Sequence, residues 1–336
     1  MLIYDGIIEK LQGGGGVTVV FNELISRTFD YSFISYNQKS KIALSSNTII
    51  KKYRRLERYR DVVLDNYNNE NILFHSTYYR LPFKKNIPII TTVHDFTYEK
   101  FNKGPSKLVH SWQKNRAINY SNKIICVSEN TAKDLLRYCP VNESNIEVVY
   151  NGVSDDYRVI DYNSSYTNEV IFVGARDGYK NFSAAIDVIS LCSKLSLSIV
   201  GGGPLSAEEI VYLDLKIPNR YNWLGRLSNH ELNNVYNRAY CLLYPSSYEG
   251  FGIPVIEAMR AGCPVIALNI SSIPEVSGNA AILIDALDMN LLSEALKSLD
   301  NIDQRNSYIQ AGLLNSQRFS WDKCYEETNK VYQSLK

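Results

Sequence analysis

Residues 241–268 read CLLYPSSYEGFGIPVIEAMRAGCPVIAL, and this stretch decides the fold. Two apolar runs, Cys241–Tyr244 and Pro264–Ala267, have the length and composition of strands that are buried on both faces. Between them, Ile253–Ala261 has the apolar spacing of a helix, and Pro254 is a residue type favoured in a first helical turn. The stretch is therefore predicted to form one strand–helix–strand unit of a parallel sheet.

The same alternation of strand and helix continues outward through the chain. Further strands are predicted at Asn71–His75, Pro88–Val93, Lys123–Val127, Glu169–Val173, Leu197–Val200 and Tyr221–Leu224, and further helices at Val17–Phe29 and Ser228–Arg238. Repeated units of this kind predict an α/β fold with doubly wound parallel sheets, in which ligands bind beyond the carboxyl ends of the strands.

Length and charge indicate two domains. The 336 residues exceed what a single core usually supports. The first 166 residues carry 22 Lys and Arg against 17 Asp and Glu, whereas the remainder carries 14 against 18. The polar stretch Asp155–Asn168 lies near the middle and is predicted to be the linker. We expect two Rossmann-like domains, 1–160 and 161–320, that face a cleft, and a C-terminal helix over 321–336 that packs on the first domain.

Composition excludes several classes of protein. The net charge of +1 argues against a protein that binds nucleic acid through bulk electrostatics. No run approaches the ~20 apolar residues of a membrane-spanning helix, and Asp5 and Glu9 interrupt the segment where a signal peptide has its apolar core. The six cysteines include no CxxC pair, which favours reduced thiols over a disulfide frame or a zinc site. We expect a cytoplasmic protein.

Two loops at predicted strand ends have the residues of a phosphate site. Gly13–Gly16 lets a ligand approach the backbone at the N-terminus of a helix, with a plain turn as the alternative. Gly174, Arg176 and Lys180 follow the strand predicted at Glu169–Val173. Two cations in that position suit a diphosphate, and a solvated basic loop is the alternative.

The loop after Tyr244 carries the most informative pattern. Glu249 precedes the predicted helix and Glu257 lies inside it, so both carboxylates are able to accept hydrogen bonds from sugar hydroxyls near one helix end. The amides of Gly250–Ile253 are placed to hold phosphate oxygens at the helix N-terminus. A Glu257 that merely complements the helix dipole explains one residue and leaves the rest of the pattern unexplained.

Two histidines follow apolar runs at strand ends. His94, with Asp95 next to it, comes after Ile89–Val93, and His75 ends the strand predicted at Asn71–His75. A histidine in such a position is often a packed strand-end residue, but it also borders the expected ligand site. His94, His75 and Asp95 are therefore candidates for that ligand site.

The segment Lys51–Arg60 is strongly basic, with six cations and one anion. Tyr53, Leu56 and Tyr59 share one face if the segment is helical. Such a helix is able to lie on anionic lipid, where each cation near the surface contributes ~1 kcal/mol of binding free energy. The alternative is a helix whose charged face is simply solvated. The candidate membrane contacts are Lys51, Lys52, Arg54, Arg55 and Arg58.

Several motifs, in their order along the chain, match one family. They are Thr92-Val-His-Asp95, Val127-Ser-Glu-Asn-Thr131, Val149-Tyr-Asn-Gly-Val153, Phe172-Val-Gly174 with Lys180-Asn181, Trp223-Leu-Gly225, Glu249 with Glu257, Ile273-Pro-Glu-Val276 and Phe319-Ser-Trp321. With them the chain resembles the retaining GT-B glycosyltransferases of family 4, and in particular the bacterial enzymes of O-antigen and capsule assembly, often mannosyltransferases. Four consecutive glycines depart from the family's shorter GG or GGxG turn and leave the register of that loop open.

The resemblance implies a role for each candidate residue. It places Glu257 on the ribose of a donor nucleotide, Glu249 and His94 on the transferred sugar, and Lys180 with Arg176 on the phosphates. The last four are its implied catalytic residues, and His75 and Asp95 are its candidates for contact with an acceptor. Many relatives have the arginine next to that lysine, where this chain has Tyr179. The remaining donor-side assignments are Gly15, Gly16 and Gly174 against the donor, Gly225, Arg226 and Leu227 at the base, and Gly250, Phe251, Gly252 and Ile253 along sugar and diphosphate.

The reaction implied by the resemblance is transfer of a hexose, mannose, from a nucleotide diphosphate sugar, GDP-mannose, to a lipid-linked or oligosaccharide acceptor. No Asp-x-Asp motif ends a predicted strand, and the acidic pair Asp155-Asp156 lies in the linker. We therefore expect a metal-independent enzyme in which cationic side chains stabilise the departing diphosphate. The family implies retention and a site of action on the inner face of the cytoplasmic membrane.

Three alternatives stay open at this point. A nicotinamide-dependent oxidoreductase is disfavoured because the chain has no GxGxxG and no acidic residue at the expected offset after Gly16. A GT-B-shaped sugar-nucleotide epimerase would need no acceptor. A non-catalytic sugar-binding subunit of a glycan assembly complex would need no complete set of catalytic residues, and the presence of Arg176, Lys180, Glu249 and Glu257 argues against it.

Overall fold

The computed structural model describes residues 1–37, 47–64, 72–84, 86–160, 166–176 and 178–336. These residues form two compact units. The first comprises Met1–Gly152 with Trp321–Lys336, and the second comprises Val153–Ser320. Each unit is built around one parallel β-sheet.

The first unit contains a seven-stranded sheet. Its strands are β1 (Leu2–Asp5), β2 (Tyr31–Ser35), β3 (Thr48–Ile50), β4 (Leu73–Ser76), β5 (Ile89–Val93), β6 (Lys123–Cys126) and β7 (Ile146–Val148). Its helices before the second unit are α1 (Ile8–Leu11), α2 (Gly16–Arg27), α3 (Thr97–Phe101), α4 (Pro105–Asn119) and α5 (Glu129–Tyr138). The strand order is β3-β2-β1-β4-β5-β6-β7.

The second unit contains a six-stranded sheet. Its strands are β8 (Glu169–Val173), β9 (Ser196–Val200), β10 (Tyr221–Gly225), β11 (Cys241–Tyr244), β12 (Val265–Leu268) and β13 (Ile282–Ile284). Its helices are α6 (Phe182–Ser190), α7 (Ala207–Lys216), α8 (Asn229–Arg238), α9 (Ile253–Arg260), α10 (Ile273–Ser277), α11 (Met289–Ser298) and α12 (Ile302–Ser316). The strand order is β10-β9-β8-β11-β12-β13.

Both strand orders belong to doubly wound sheets, and the predicted α/β class is confirmed. Every residue of β5 and of β11 is buried, as expected for strands covered by helices on both faces. Apart from the helix predicted over Lys51–Arg60, the predicted strands and helices agree with the observed ones to within a few residues. Asn71, the predicted start of β4, lies outside the described residues.

The last helix, α13 (Trp321–Gln333), packs on α2 and completes the first unit. Its buried face includes Cys324 and Tyr332. Asp322 accepts a hydrogen bond of 2.7 Å from Arg27 at the end of α2. In the ranges given above, no helix is both long enough and apolar enough to cross a bilayer.

The beginning of the predicted linker is attached to the second unit. The backbone amide of Arg158 donates to the Asn233 side chain at 3.0 Å, and that of Ile160 donates to the Asn237 side chain at 2.7 Å. Both asparagines belong to α8, so their amide groups satisfy backbone donors that a free linker would leave to water. Residues 161–165 of the predicted linker lie outside the described residues.

The helix predicted over Lys51–Arg60 is wrong. Only Glu57–Tyr59 are helical, as a single 3₁₀ turn. Leu56 has a φ of 61°, which a right-handed helix does not allow. Glu57 is buried, and its carboxylate pairs with the buried Arg80 at 2.9 Å. Because this carboxylate binds in the core, the chain turns inward at Glu57. A surface helix would have kept Glu57 in contact with solvent.

Candidate functional site

The order of the second sheet reverses between β8 and β11, and the loops after these strands hold most of the residues predicted in the second unit. Lys180 follows β8 and Glu249 follows β11. The two strands pair directly, with Val170 opposite Cys241. Because doubly wound sheets bind ligands beyond the carboxyl ends of the strands at such a reversal, the candidate site of the second unit lies at this edge.

Lys180 and Glu249 form an ion pair with 2.5 Å between Nζ and Oε1. Their side chains are only 12% and 11% exposed. The ammonium also lies 5.3 Å and 5.4 Å from the ring centres of Tyr179 and Tyr244. Coulomb attraction is stronger in such a partly buried position than in water. The structure thus brings together two residues that the sequence predicted separately.

The turn into α9 depends on Gly252. This residue has a φ of 102°, a backbone conformation that strains any residue with a side chain, and a Cβ atom there would lie 2.8 Å from Ile273 Cδ1. The Ser272 hydroxyl donates to the carbonyls of Glu249 and Phe251, at 3.0 Å and 2.9 Å. The predicted residues Gly250, Phe251, Gly252 and Ile253 all lie in this turn, with Ile253 as the first residue of α9.

Glu257 lies in the second turn of α9, beside tyrosine hydroxyls. Tyr236 donates to its Oε2 at 3.4 Å. Burial raises the pKa of the Glu257 carboxyl to about 7, against a smaller opposing effect of hydrogen bonds from Tyr157 and Tyr236. Its charge therefore changes near neutral pH, which is unusual for a glutamate.

Arg176 makes four hydrogen bonds inside the second unit. Its Nε donates to Glu209 Oε1 at 2.7 Å. Nη1 donates to the carbonyls of Gly201 and Gly203 at 3.1 Å and 3.2 Å, and Nη2 donates to that of Pro204 at 2.8 Å. The side chain is 6% exposed. The guanidinium of Arg176, which was predicted to bind phosphate, thus binds the turn that follows β9.

The loops after β8, β9 and β10 meet through their backbones. The amide of Gly201 donates to the carbonyl of Gly225 at 2.7 Å. A Cβ atom at Gly201 would lie 3.4 Å from the carbonyl oxygen of Gly174. Gly225 ends β10 with a φ of 67°, Arg226 is exposed and Leu227 is half-buried. Arg226 and Leu227, predicted to bind the nucleotide base together with Gly225, therefore come directly after the contact between Gly201 and Gly225.

In the first unit, His94 lines a cavity of about 80 Å³ together with Gln12, Thr92 and Asp95. Its Nε2 is buried and has no hydrogen-bond partner among the residues that the structure describes. Burial lowers the pKa of His94 to about 4, so the ring is neutral near pH 7. Asp95 accepts a hydrogen bond from the amide of Thr97 at 2.9 Å, which holds the start of α3.

The glycine run combines a turn with a helix N-terminus. Gly14 has a φ of 119°, and its amide donates to the Gln12 carbonyl at 2.8 Å. Gly15 is the N-cap residue and Gly16 the first residue of α2. The glycine run therefore consists of a turn at Gly13 and Gly14, followed by the helix amides. Gln12 places this turn beside the cavity described above.

His75 is placed differently from the prediction. It is fully buried, with Nδ1 2.8 Å from the Tyr332 hydroxyl and Nε2 2.9 Å from the Thr92 hydroxyl. Burial lowers its pKa to about 3. Because both ring nitrogens are bonded in the interior, His75 joins α13 to the first sheet and does not face an acceptor.

The basic segment presents less charge than its sequence indicates. Three of its five predicted membrane contacts bind groups of the first unit, and the other two are exposed. The bound ones are Lys51 on the Val63 carbonyl, Arg54 on the Glu57 carboxylate and Arg58 on the Tyr78 hydroxyl, and Arg54 is exposed despite this ion pair. The other two are Lys52 and Arg55.

Two sequence families match the chain, and together they cover most of it. Residues 17–157 match the family described as Glycosyltransferase Family 4. Residues 159–313 match the family described as Glycosyl transferases group 1. The chain is a glycosyltransferase with a family 4 domain and a group 1 domain. This confirms the resemblance and separates the chain from the nicotinamide-dependent oxidoreductases.

Relatives and solved structures agree with this assignment. The glycosyltransferase is 26% identical to the O-antigen chain mannosyltransferase B of Escherichia coli over 85% of this chain and 80% of that protein. WaaG, a glycosyltransferase involved in lipopolysaccharide biosynthesis, superposes with a TM-score of 0.76 at 14% identity, over 98% and 99% of the two chains. HepE of Anabaena, solved in complex with UDP-glucose, gives 0.75 at 15% identity over 99% of both. The GT-B fold is confirmed.

Sequence reasoning missed two parts of the site. One is the turn Gly201-Gly202-Gly203-Pro204 with its anchor Glu209, although three glycines directly after a strand and the Ser206-x-x-Glu209 capping box were visible signals. The other is Ser272, which holds the turn before α9. No local pattern marks it, because its hydrogen-bond partners Glu249 and Phe251 lie 23 and 21 positions earlier, in the loop before α9.

Proposed function

We propose that this glycosyltransferase moves a hexose, mannose, from a nucleotide diphosphate sugar, GDP-mannose, to a lipid-linked or oligosaccharide acceptor of bacterial surface-polysaccharide synthesis. The observation that carries the proposal is the Lys180–Glu249 pair at the reversal of the second sheet, directly before α9. A cation, a carboxylate and a helix N-terminus at one sheet edge are the groups that a sugar diphosphate needs.

Lys180 supplies the positive charge in this proposal. When the bond between the sugar and the diphosphate breaks, negative charge grows on the departing phosphate. An ammonium and helix amides that are already in position stabilise this charge without reorganisation. They take the part that Mg²⁺ has in other transferases, so the proposed reaction is metal-independent. Glu249 orients Lys180 and accepts hydrogen bonds from the sugar hydroxyls.

Glu257 binds the ribose in this proposal. The carboxylate form accepts hydrogen bonds from both ribose hydroxyls, whereas the protonated form loses part of that capacity. The raised pKa of Glu257 therefore makes the strength of this contact depend on pH near neutrality.

Retention follows from attack on the same face of the sugar. The bond between the anomeric carbon and the phosphate oxygen breaks, and the electron pair leaves with the diphosphate. The acceptor hydroxyl oxygen forms the new bond, and its proton passes to the departing phosphate oxygen. No side chain needs to act as a nucleophile in this route.

The cavity of the first unit is proposed to bind sugar hydroxyls. His94 carries a buried, neutral imidazole whose Nε2 has no partner in the described part of the chain. Asp95 and the turn before α2 border the same space, and Gly15 and Gly16 begin the helix there. A neutral donor or acceptor beside a carboxylate suits a polyhydroxylated ligand without adding charge.

The relatives support the choice of substrates. The name of the Escherichia coli relative specifies a mannosyltransferase, and the HepE structure contains a nucleotide sugar. A peripheral position on anionic lipid at the cytoplasmic face is supported by the exposed Ile50, Tyr53 and Leu56 beside Lys52 and Arg55.

The test is a thermal-shift measurement with GDP, UDP, ADP, dTDP and NAD, with and without EDTA, followed by product analysis with and without an acceptor. A ligand at 100 times its dissociation constant adds about 2.7 kcal/mol of stability. We expect GDP to stabilise the protein independently of EDTA, and sugar transfer to require an acceptor. Stabilisation by another nucleoside diphosphate would show that the donor carries a base other than guanine. Conversion of the sugar nucleotide without an acceptor would point to an epimerase.

A further inference from the structure

We propose that Arg176 is a positioning residue that shapes the nucleoside end of the donor site, and that Lys180 acts on the phosphates without it. The proposal rests on the proposed function, since it divides one nucleotide site between two cations. It differs from the role expected from the sequence, which placed both cations on the diphosphate.

The hydrogen bonds of Arg176 leave few of its N–H groups available to a phosphate. A guanidinium has five N–H donors, and four of them are used by Glu209 and by the carbonyls of Gly201, Gly203 and Pro204. A phosphate would have to displace a carboxylate at 2.7 Å and three carbonyls from a side chain that is 6% exposed. Replacing such bonds by bonds to an incoming anion gains little net free energy.

The turn that Arg176 holds is conformationally demanding. Gly201, Gly202 and Gly203 have φ values of 86°, 71° and 73°, a conformation that glycine adopts readily and other residues rarely do. A Cβ atom at Gly202 would lie 2.4 Å from Arg176 Nη1, so the backbone wraps closely around the guanidinium. Since all peptide bonds here are trans, the amide of Gly202 points away from Arg176, opposite to the bonded carbonyl of Gly201.

Glu209 anchors the other side of the guanidinium. One of its oxygens accepts from Arg176 and the other accepts from the amide of Ser206 at 2.7 Å, at the N-terminus of α7. Arg176 and Glu209 therefore act as one clamp between the loop after β8 and the start of α7. Loss of either residue should release the same turn.

The clamp reaches the predicted base site through one further hydrogen bond. Arg176 Nη1 binds the carbonyl of Gly201, and the amide of Gly201 binds the carbonyl of Gly225. Gly225 is followed by Arg226 and Leu227, the other residues predicted for the base. The chain of contacts thus runs from the guanidinium toward the nucleoside, whereas Lys180 lies beside Glu249.

Binding of matched ligands separates the two roles. We would measure dissociation constants of guanosine, GDP, uridine and UDP for the wild type, Arg176→Gln, Glu209→Gln and Lys180→Gln. If Arg176 is a positioning residue, Arg176→Gln and Glu209→Gln should each weaken the nucleoside and its diphosphate by a similar factor of about ten. Lys180→Gln should weaken the diphosphate alone.

The alternative, in which Arg176 binds phosphate directly, predicts a change in diphosphate affinity of opposite sign for Glu209→Gln. If Arg176 bound phosphate, Glu209→Gln would free the guanidinium and strengthen diphosphate binding, and Arg176→Gln would leave the nucleosides unaffected. Either result would overturn the proposal.

Amide hydrogen exchange tests the clamp without any ligand. Arg176→Gln and Glu209→Gln should both increase deuterium uptake at residues 201–206, while Lys180→Gln should not. Unchanged uptake in the two clamp variants would also overturn the proposal. If the wild type binds none of the four compounds, the proposed nucleotide donor is refuted, and the exchange experiment still decides the role of Arg176.

Discussion

Lys180 and Glu249, 69 positions apart in the chain, meet at 2.5 Å beyond the ends of β8 and β11. Each of these partly buried charges would be costly alone, and each offsets the cost of the other. The pair also joins the two loops at the reversal of the sheet order. The site therefore holds its cation in place before any anionic ligand arrives.

Lys180→Ala should reduce turnover by on the order of 10²-fold or more, because it removes a group that stabilises the departing phosphate. Initial rates of sugar transfer at saturating donor measure this effect. Lys216→Ala is the matched control, since Lys216 pairs with Asp187 at 3.0 Å on the surface of the same unit and should be dispensable. A near-normal rate for Lys180→Ala would remove the lysine from the proposed chemistry.

Glu257 should make donor affinity depend on pH. With a pKa of about 7, its ionised fraction rises from roughly one-tenth at pH 6 to roughly nine-tenths at pH 8. Since the ribose contact needs the carboxylate, GDP-mannose should bind about tenfold more tightly at pH 8 than at pH 6. Isothermal titration calorimetry at the two pH values measures the difference.

Glu257→Gln provides the control for this pH effect. Glutamine keeps the size of the side chain and does not titrate, so the variant should show nearly the same affinity at both pH values. A pH effect of equal size in wild type and variant would mean that another group is responsible.

His75 should make the fold sensitive to acid. Its pKa is about 3 in the folded protein and near 6.5 in the unfolded chain, so the unfolded chain alone takes up a proton as the pH falls from 7 to 5. This uptake favours unfolding and should lower the free energy of unfolding by about 2 kcal/mol over that range. His75→Gln should lose that part of the pH dependence, as measured by denaturant titration at pH 7 and pH 5.

His230→Gln is the matched control for His75→Gln. His230 is exposed on α8, so its replacement should leave the pH dependence of the wild type intact. Identical pH dependence in wild type and His75→Gln would contradict the buried, neutral state of His75.

Lys52 and Arg55 should contribute more to membrane binding than the cations of the basic segment that bind other groups of the first unit. Replacing Lys52 and Arg55 with Ser should weaken binding to vesicles that contain anionic lipid by about thirtyfold, at ~1 kcal/mol for each cation. Co-sedimentation with vesicles measures the affinity. Replacing Lys10 and Lys133, which are exposed elsewhere on the first unit, should have little effect. Equal losses in the two double variants would indicate a general charge effect and no specific contact.

The sequence alone was sufficient for the strands and helices that flank the candidate site and for the resemblance to glycosyltransferases. Apolar runs such as Cys241–Tyr244, the helical spacing of Ile253–Ala261 and the glycines at strand ends are local patterns, and each reflects the local geometry of a strand, a helix or a turn. Parallel strands with short loops place residues such as Lys180 and Glu249 at one sheet edge, so these two candidates were accessible from the order of the elements.

Only the tertiary structure decided what several polar side chains bind. Arg176 meets Glu209, 33 positions later, His75 meets Tyr332, 257 positions later, and Glu57 turns inward to meet Arg80. A buried charged or polar group must find a partner wherever the fold supplies one, and local sequence does not specify a partner that far away. For this reason the predicted phosphate residue holds a turn, a predicted acceptor residue joins a helix to a sheet, and a predicted surface helix is a turn over a buried ion pair.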